Sequence, residues 1–215
     1  MIWNLPNQLT LGRIVLAGGF FVLVGLYEPG STNTWWLLNT AFVIYLIAGI
    51  TDVLDGYLAR KLNLTSAFGR IVDPFVDKVL VVGAFVMLTG SNYVLTGPTD
   101  LPDADLPDWM TGRMLSAVQA WMVVAMLGRE FIVSAVRGYS ESQGIKFPAI
   151  SVGKVKMFIQ SVAICTVLFQ LANFPTALWA IYLKVTLVWL AVIVTVLSGL
   201  AYVGKARRLL RIEEK

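Results

Sequence analysis

Six apolar stretches, each long enough to cross a bilayer, constrain this 215-residue chain more than any other feature of its sequence. A transmembrane helix needs about 20 mostly apolar residues. Hydrophobic residues make up 57% of the chain, against roughly 45–50% in soluble proteins, so most of its surface requires lipid as solvent. The sequence therefore predicts an all-α polytopic membrane protein, with a single domain over residues 1–215. The predicted spans are Leu9–Tyr27, Trp35–Ala59, Phe68–Thr89, Met114–Val136, Val152–Ala172 and Ala177–Val203.

The basic residues of the connecting segments predict the orientation of these spans, because cytoplasmic loops are enriched in Lys and Arg. Of the 17 Lys and Arg residues, only Arg113 and Lys184 fall toward the opposite side, and the third loop is acidic from Asp100 to Asp108. Both termini and the second and fourth loops are therefore expected in the cytoplasm. We expect no removable signal, because Met1–Leu16 has neither a charged n-region nor a small-residue cleavage site.

The use of histidine and cysteine excludes several classes of site. The sequence has no histidine, which excludes His-ligated haem or zinc and a histidine general base. Its one cysteine, Cys165, excludes a disulfide framework and a cysteine-based metal site. Any metal must therefore be held mainly by oxygen ligands. The net charge of +4 arises in short loops, where it suits anionic lipid headgroups better than nucleic acid.

Four aspartates lie inside the second and third predicted spans, where a charge is costly and indicates a functional site. Asp52 and Asp55 are three residues apart, and Asp73 and Asp77 are four apart, so each pair shares one helical face. Because a short connection makes the two helices antiparallel neighbours, we expect Asp52 to meet Asp77 and Asp55 to meet Asp73. Four carboxylates at matched depth cannot all stay ionised without cations. Their oxygens favour Mg²⁺ or Mn²⁺, and thus a phosphate-bearing substrate.

Two other functions would also place carboxylates inside a membrane. An ion-coupled transporter is one, but these aspartates cluster near one face, and no inverted repeat or pair of broken helices is evident. A membrane prenyltransferase also binds metal pyrophosphate through aspartate-rich helices. It would not explain the small residues on the same faces, Gly56, Ala59 and Gly69, which let a ligand approach the backbone closely.

The aspartates and these small residues form one pattern of fixed spacing, Asp52-x-x-Asp55-Gly56-x-x-Ala59-Arg60-x₈-Gly69-x₃-Asp73-x₃-Asp77. Its eight fixed residues resemble, position for position, the signature of the CDP-alcohol phosphotransferases. The resemblance implies six transmembrane helices, a homodimer and a divalent metal site holding two ions of Mg²⁺ or Mn²⁺. It also implies transfer of a phosphatidyl-type group from a CDP-linked lipid to an alcohol, with release of CMP.

The same resemblance implies a role for each aspartate. Asp52, Asp55 and Asp73 would hold metal on the pyrophosphate. Asp77 would share that role and would act as the general base that takes the proton of the attacking hydroxyl.

A second set of residues is expected at the CDP-lipid. For Arg60 the alternative is a snorkelling cation that sets the orientation of the protein in the membrane. For Asn7, Thr10 and Arg13 the alternative is that they cap and anchor the first helix. The set is Gly56, Ala59, Arg60, Gly69, Asn7, Thr10 and Arg13.

Three further stretches, Asn4–Arg13, Arg129–Arg137 and Gly153–Lys156, resemble one branch of this family. That branch makes phosphatidylglycerophosphate from CDP-diacylglycerol and sn-glycerol 3-phosphate. Inositol 3-phosphate is the alternative acceptor. With the predicted orientation, the resemblance implies a protein of the bacterial inner membrane, with its active site facing the cytoplasm and membrane lipids around it.

The basic residues of these stretches are candidates for binding an acceptor phosphate. They are Arg129, Arg137, Lys154 and Lys156, a surplus of cations with Glu130 beside them. The alternative is a structural ion pair, since Glu130 and Arg137 are seven residues apart and could pair across Ser134. The two lysines should point about 160° apart, so both should not reach one ligand without local unwinding.

Overall fold

A computed structural model describes residues 5–62, 67–95, 106–143 and 151–213, with side chains except at 5–7, 9, 53, 55–62, 67–74, 151–152 and 205–213. The described residues form helices and no strand, which confirms the all-α prediction for this part of the chain. One 3₁₀ turn, Ser91–Tyr93, lies between the third and fourth helices. The helices are α1 (Leu5–Gly25), α2 (Thr34–Leu62), α3 (Ala67–Met87), α4 (Asp108–Thr111), α5 (Ala120–Ser142), α6 (Ser151–Asn173) and α7 (Leu178–Glu213).

Contacts between the six long helices form a closed ring. α1 packs against α2 and α3, α2 against α6, α6 against α7, α7 against α5, and α5 against α3. α3 also contacts α6 across the ring. Because α2 and α3 carry the aspartates and α5 and α6 carry the candidate phosphate-binding residues, the packing of α3 brings the two groups together. Fully buried apolar side chains fill the interior, among them Phe20, Leu38, Phe85, Met122, Ile164 and Val188.

The outer faces of the helices carry large apolar side chains, as expected for a protein surrounded by lipid. Phe131 and Phe158 are 69% and 70% exposed. A soluble protein rarely exposes extensive apolar patches of this kind. Three helical segments in the described part are long and apolar enough to cross a membrane: Thr34–Asp52, Gly153–Asn173 and Leu178–Gly204. These features indicate a membrane protein.

The fourth long helix begins later than the sequence predicts, at Ala120 instead of Met114. The backbone just before Ala120 is not helical, and Gly112, Arg113 and Ala117 have φ values of 60°, 59° and 56°. Leu115 N–H donates to the Tyr93 carbonyl at 2.6 Å, outside any helix. The prediction was wrong because an apolar run of this length has the same composition in a buried loop as in a helix.

The segment 106–119, which contains the short helix α4 and is buried at residues 114–118, forms a cap over one end of the bundle. Lys184 of α7 is fully buried, and its Nζ donates to the Leu115 carbonyl at 2.6 Å. Trp189, also on α7, donates from Nε1 to the Met110 carbonyl at 2.9 Å. The buried hydroxyl of Ser116 donates to the Leu88 carbonyl at 2.6 Å. These bonds satisfy backbone carbonyls that burial would otherwise leave unpaired, and they attach the cap to α3 and α7.

Candidate active site

Asp52 of α2 and Asp77 of α3 meet at Arg13 of α1. Arg13 Nη1 lies 2.5 Å from Asp52 Oδ1 and 2.6 Å from Asp77 Oδ1. The arginine side chain is fully buried, whereas the two carboxylates are 33% and 23% exposed. The structure thus brings Asp52 and Asp77 together, as the spacing predicts. Arg13 joins the two aspartates because its helix, α1, packs against both α2 and α3.

The carboxylate oxygens of Asp52 and Asp77 are candidate ligands for a divalent cation. Two carboxylate oxygens from different helices converge on one position, which the nitrogen of Arg13 occupies. Oxygen ligands of this kind suit Mg²⁺ or Mn²⁺. Within the described side chains, no group of three or more acidic, cysteine or histidine residues lies together. Asp55 and Asp73, the other two predicted ligands, belong to α2 and α3, but their side chains lie outside the described ones.

The residues predicted at the CDP-lipid are described only in part. Thr10 is buried one helical turn before Arg13, on the same face of α1. The Arg13 side chain contacts Asp52 and Asp77. The side chains of the remaining members are outside the described part of the chain: Asn7, Gly56, Ala59, Arg60 and Gly69.

The predicted acceptor residues all line one cavity of about 270 Å³. Its lining comes from α3, α5, α6 and α7 and includes Asp77. The aspartate and the cations therefore share one space, although they come from opposite halves of the sequence. The basic residues in the lining that the sequence singled out are Arg129, Arg137, Lys154 and Lys156.

Glu130 pairs with Arg129 and Lys156 in this cavity. Arg129 Nη1 donates to Glu130 Oε1 at 2.8 Å, and Lys156 Nζ forms an ion pair with the same oxygen. Arg129 also donates to the Ser198 hydroxyl, from Nε at 3.0 Å and from Nη2 at 2.6 Å. The Glu130 carboxylate therefore pairs with two of the four basic residues, Arg129 and Lys156. Ser198 of α7 also holds Arg129.

Arg137 does not form the ion pair with Glu130 that its spacing allowed. Its Nη2 donates to the Tyr202 hydroxyl at 2.8 Å, and its guanidinium carbon lies 5.4 Å from the centre of the Tyr202 ring. The reason is the packing of α5 on α7, which offers Arg137 an aromatic face and a hydroxyl. Its charge is therefore not neutralised by Glu130.

Lys154 and Lys156 both contribute to the lining of the cavity, although the spacing predicted that they point apart. α6 is continuous through both positions, so local unwinding is not the cause. Lys156 is 4% exposed and reaches Glu130, whereas Lys154 is exposed. The two side chains thus have different environments within one cavity.

Lys78, Ser198 and Tyr202 were missed as site residues by the sequence analysis. Lys78 follows Asp77 directly and lines the same cavity. An ionisable residue inside a predicted span is a functional candidate by default, and this signal could have identified Lys78. Ser198 and Tyr202 are four residues apart in the sixth span, so they share a polar stripe of one helix.

A second cavity, of about 900 Å³, lies between α2 and α6. Its lining is mostly apolar, with Phe42, Leu46 and Phe158 among its residues. Asp52 and Asp77 also contribute to it. Asp77 therefore lines both the apolar and the cationic cavity.

The sequence also matches known proteins over nearly its whole length. A family model described as CDP-alcohol phosphatidyltransferase matches residues 3–197. The chain belongs to this family. Among curated members, a Bacillus subtilis (strain 168) protein is 32% identical, over 95% of each chain. An Escherichia coli (strain K12) member is 34% identical, over 96% of this chain and 97% of its own. Both relatives are named CDP-diacylglycerol–glycerol-3-phosphate 3-phosphatidyltransferase.

Proposed function

We propose that this chain transfers the phosphatidyl group of CDP-diacylglycerol to sn-glycerol 3-phosphate, giving phosphatidylglycerophosphate and CMP. The observation that carries the proposal is that Asp77 lines two cavities, one with several Arg and Lys side chains and one that is mostly apolar. A phosphate-bearing acceptor suits the cationic cavity, and a lipid suits the apolar one. The names of the relatives support this pair of substrates.

The donor lipid is proposed to occupy the apolar cavity with part of its acyl chains, because the lining offers them an environment as apolar as the bilayer core they would leave. Asp52, Asp55, Asp73 and Asp77 would hold the divalent metal at the end of this cavity. When bound, Mg²⁺ or Mn²⁺ supplies positive charge against the pyrophosphate oxygens. The nucleotide is proposed to lie near Gly56, Ala59, Arg60 and Gly69, with Asn7, Thr10 and Arg13 beside it or its phosphates; the resemblance of the first four to the family signature supports this.

The acceptor phosphate is proposed to bind Arg137 and Lys154 directly. Arg137 Nε has no hydrogen-bond partner among the described residues, and Lys154 is exposed in the cavity. Guanidinium groups match phosphate oxygens well. Arg129 and Lys156 are held on Glu130, so we assign them to shaping the cavity and its charge.

In the proposed reaction, Asp77 accepts the proton of an acceptor hydroxyl as its oxygen attacks the phosphatidyl phosphorus. The new O–P bond forms as the bond from that phosphorus to the CMP oxygen breaks, and CMP leaves with the bonding electron pair. Arg13 would hold Asp77 in place through its contact with the carboxylate. The cations on α5 and α6 would keep the acceptor within reach of the base.

We further propose six spans, a homodimer and an active site at the cytoplasmic face of a bacterial inner membrane. The exposed apolar faces support a membrane location, and the positive-inside rule supports the orientation. The relatives from Bacillus subtilis and Escherichia coli fit a bacterial membrane.

The test is an acceptor panel with purified protein, CDP-diacylglycerol and Mg²⁺, in which release of CMP is measured. The acceptors are sn-glycerol 3-phosphate, inositol 3-phosphate, serine and phosphatidylglycerol. We expect preferred turnover of glycerol 3-phosphate and loss of turnover when a chelator is added. Preference for another acceptor would refute the acceptor assignment, and full turnover without metal would refute the role given to the four aspartates.

A further inference from the structure

Lys78 follows the proposed base directly and extends into the cationic cavity. Its side chain is exposed, and its Nζ donates to the Ser134 hydroxyl of α5 at 2.6 Å. It lines the cationic cavity and not the apolar one. The lysine thus reaches from α3, which carries the base, to α5, which carries two of the arginine candidates.

The hydrogen bonds of Ser134 leave donor capacity on this lysine. Ser134 Oγ donates its own proton to the Glu130 carbonyl at 2.7 Å, so it serves Lys78 as an acceptor. An ammonium group has three N–H donors, and Ser134 takes one of them. Up to two donors therefore remain for a ligand in the cavity.

The charge balance of the cavity also favours an anion near Lys78. Of the two carboxylates in the lining, Glu130 is shared by Arg129 and Lys156, and Asp77 is paired with Arg13. Lys78 forms no ion pair with any residue the structure describes. Its positive charge adds to those of Arg137 and Lys154 in the same lining. A phosphate monoester carries one to two negative charges near neutral pH, and lysine binds phosphate as a point charge.

We infer that Lys78 binds a phosphate oxygen of the acceptor and so selects acceptors that carry a phosphate. The inference rests on the proposed function. Because Lys78 and Asp77 are adjacent on α3, a phosphate held by the lysine keeps the other end of a three-carbon acceptor close to the base. Lys78 therefore links recognition of the acceptor to its deprotonation.

Two other roles for Lys78 predict different results. As a clamp between α3 and α5 it would act only through Ser134, so loss of the hydroxyl would reproduce loss of the lysine. As a snorkelling cation at the lipid headgroups it would leave the affinity for a water-soluble acceptor unchanged. The variant Ser134→Ala therefore serves as the matched control for Lys78→Met, which keeps the apolar stem and removes the charge.

The experiment measures KM for glycerol 3-phosphate and for CDP-diacylglycerol separately, and the inhibition constant of inorganic phosphate against glycerol 3-phosphate. We expect Lys78→Met to raise the first KM and the inhibition constant about tenfold or more, the effect of losing a charged hydrogen bond. The KM for CDP-diacylglycerol should change less than about twofold, and Lys78→Arg should restore part of the loss. Ser134→Ala should keep the KM for glycerol 3-phosphate within about threefold of the wild-type value, since a neutral hydrogen bond contributes less.

An unchanged KM in Lys78→Met, an equal rise for both substrates, or an equal effect of Ser134→Ala would overturn the inference. Lys78→Gln replaces Lys78→Met if thermal unfolding shows that the methionine variant does not fold. If the wild-type protein prefers another phosphate-bearing acceptor, the proposed function fails, and the same KM comparison on that acceptor decides the role of Lys78. If it prefers an acceptor without phosphate, both proposals fail.

Discussion

At the scale of single residues, Arg13 contacts Asp52 and Asp77 through the same nitrogen atom, at 2.5 and 2.6 Å. Charge-assisted hydrogen bonds of this kind are roughly twice as strong as neutral ones and fix the position of both partners. The aspartates are one-quarter to one-third exposed, so a ligand can still approach them. Arg13 therefore orients the proposed base without closing the site.

The first prediction at this scale concerns Asp77→Asn. The amide keeps the size of the side chain but cannot accept the hydroxyl proton, so we expect kcat to fall by about 10²–10⁴-fold. The Asp77→Asn variant should still bind CDP-diacylglycerol in part. This binding is measured by displacement of a labelled CMP analogue. Asp52→Ala is the comparison variant, and it should lose metal-dependent binding of the CDP-lipid. Normal turnover by Asp77→Asn would show that the base lies elsewhere.

The sequence singles out the aspartates and the basic residues and predicts that Asp52 meets Asp77, but it does not predict the partners of the arginines. Spacing within one helix groups Asp52 with Asp55, and an ionisable residue inside a span signals function. The partners of Arg129 and Arg137, Ser198 and Tyr202, are 69 and 65 residues away in the chain. Such contacts depend on how α7 packs against α5, and no local pattern contains that information.

At the scale of helices, the length of the apolar stretches predicted the elements well where the chain is apolar up to a clear polar end. The third and fifth spans, Phe68–Thr89 and Val152–Ala172, agree closely with α3 and α6. The fourth, Met114–Val136, was wrong at its start, because the buried end of the cap is itself mostly apolar. The sixth extends beyond Val203 as α7, since a helix can continue into a basic tail outside the membrane.

The second prediction tests the attachment of this cap by Lys184→Met. The change removes a donor to the Leu115 carbonyl in a fully buried position, and a hydrogen bond from a charged group contributes about 1.5–3 kcal/mol. We expect a lower midpoint of thermal unfolding in detergent, with the KM values of the folded enzyme retained. Asp108→Asn is the control, because its ion pair with Arg113 is 3.6 Å long and exposed on both sides. Its midpoint should stay near the wild-type value. Equal midpoints for the two variants would show that Lys184 does not support the cap.

At the scale of the whole molecule, the ring of six long helices has a predicted orientation that labelling can test. In a Cys165→Ser background, Asp103→Cys should react with a membrane-impermeant maleimide on intact cells. Lys146→Cys should react only after the cells are permeabilised. Both positions lie outside the described residues, and the expectation follows from the distribution of basic residues. Equal labelling of both positions from outside would overturn the orientation and the cytoplasmic placement of the active site.

The position of Ser198 and Tyr202 on the last helix predicts when catalysis can begin. A ribosome makes α1 to α3 first, so all four aspartates are synthesised early. The groups that hold Arg129 and Arg137 are delivered last, on α7. A nascent chain that ends before residue 198 carries the carboxylates without the support for its arginines. Catalysis on the activated lipid should therefore begin only after the final helix has been inserted.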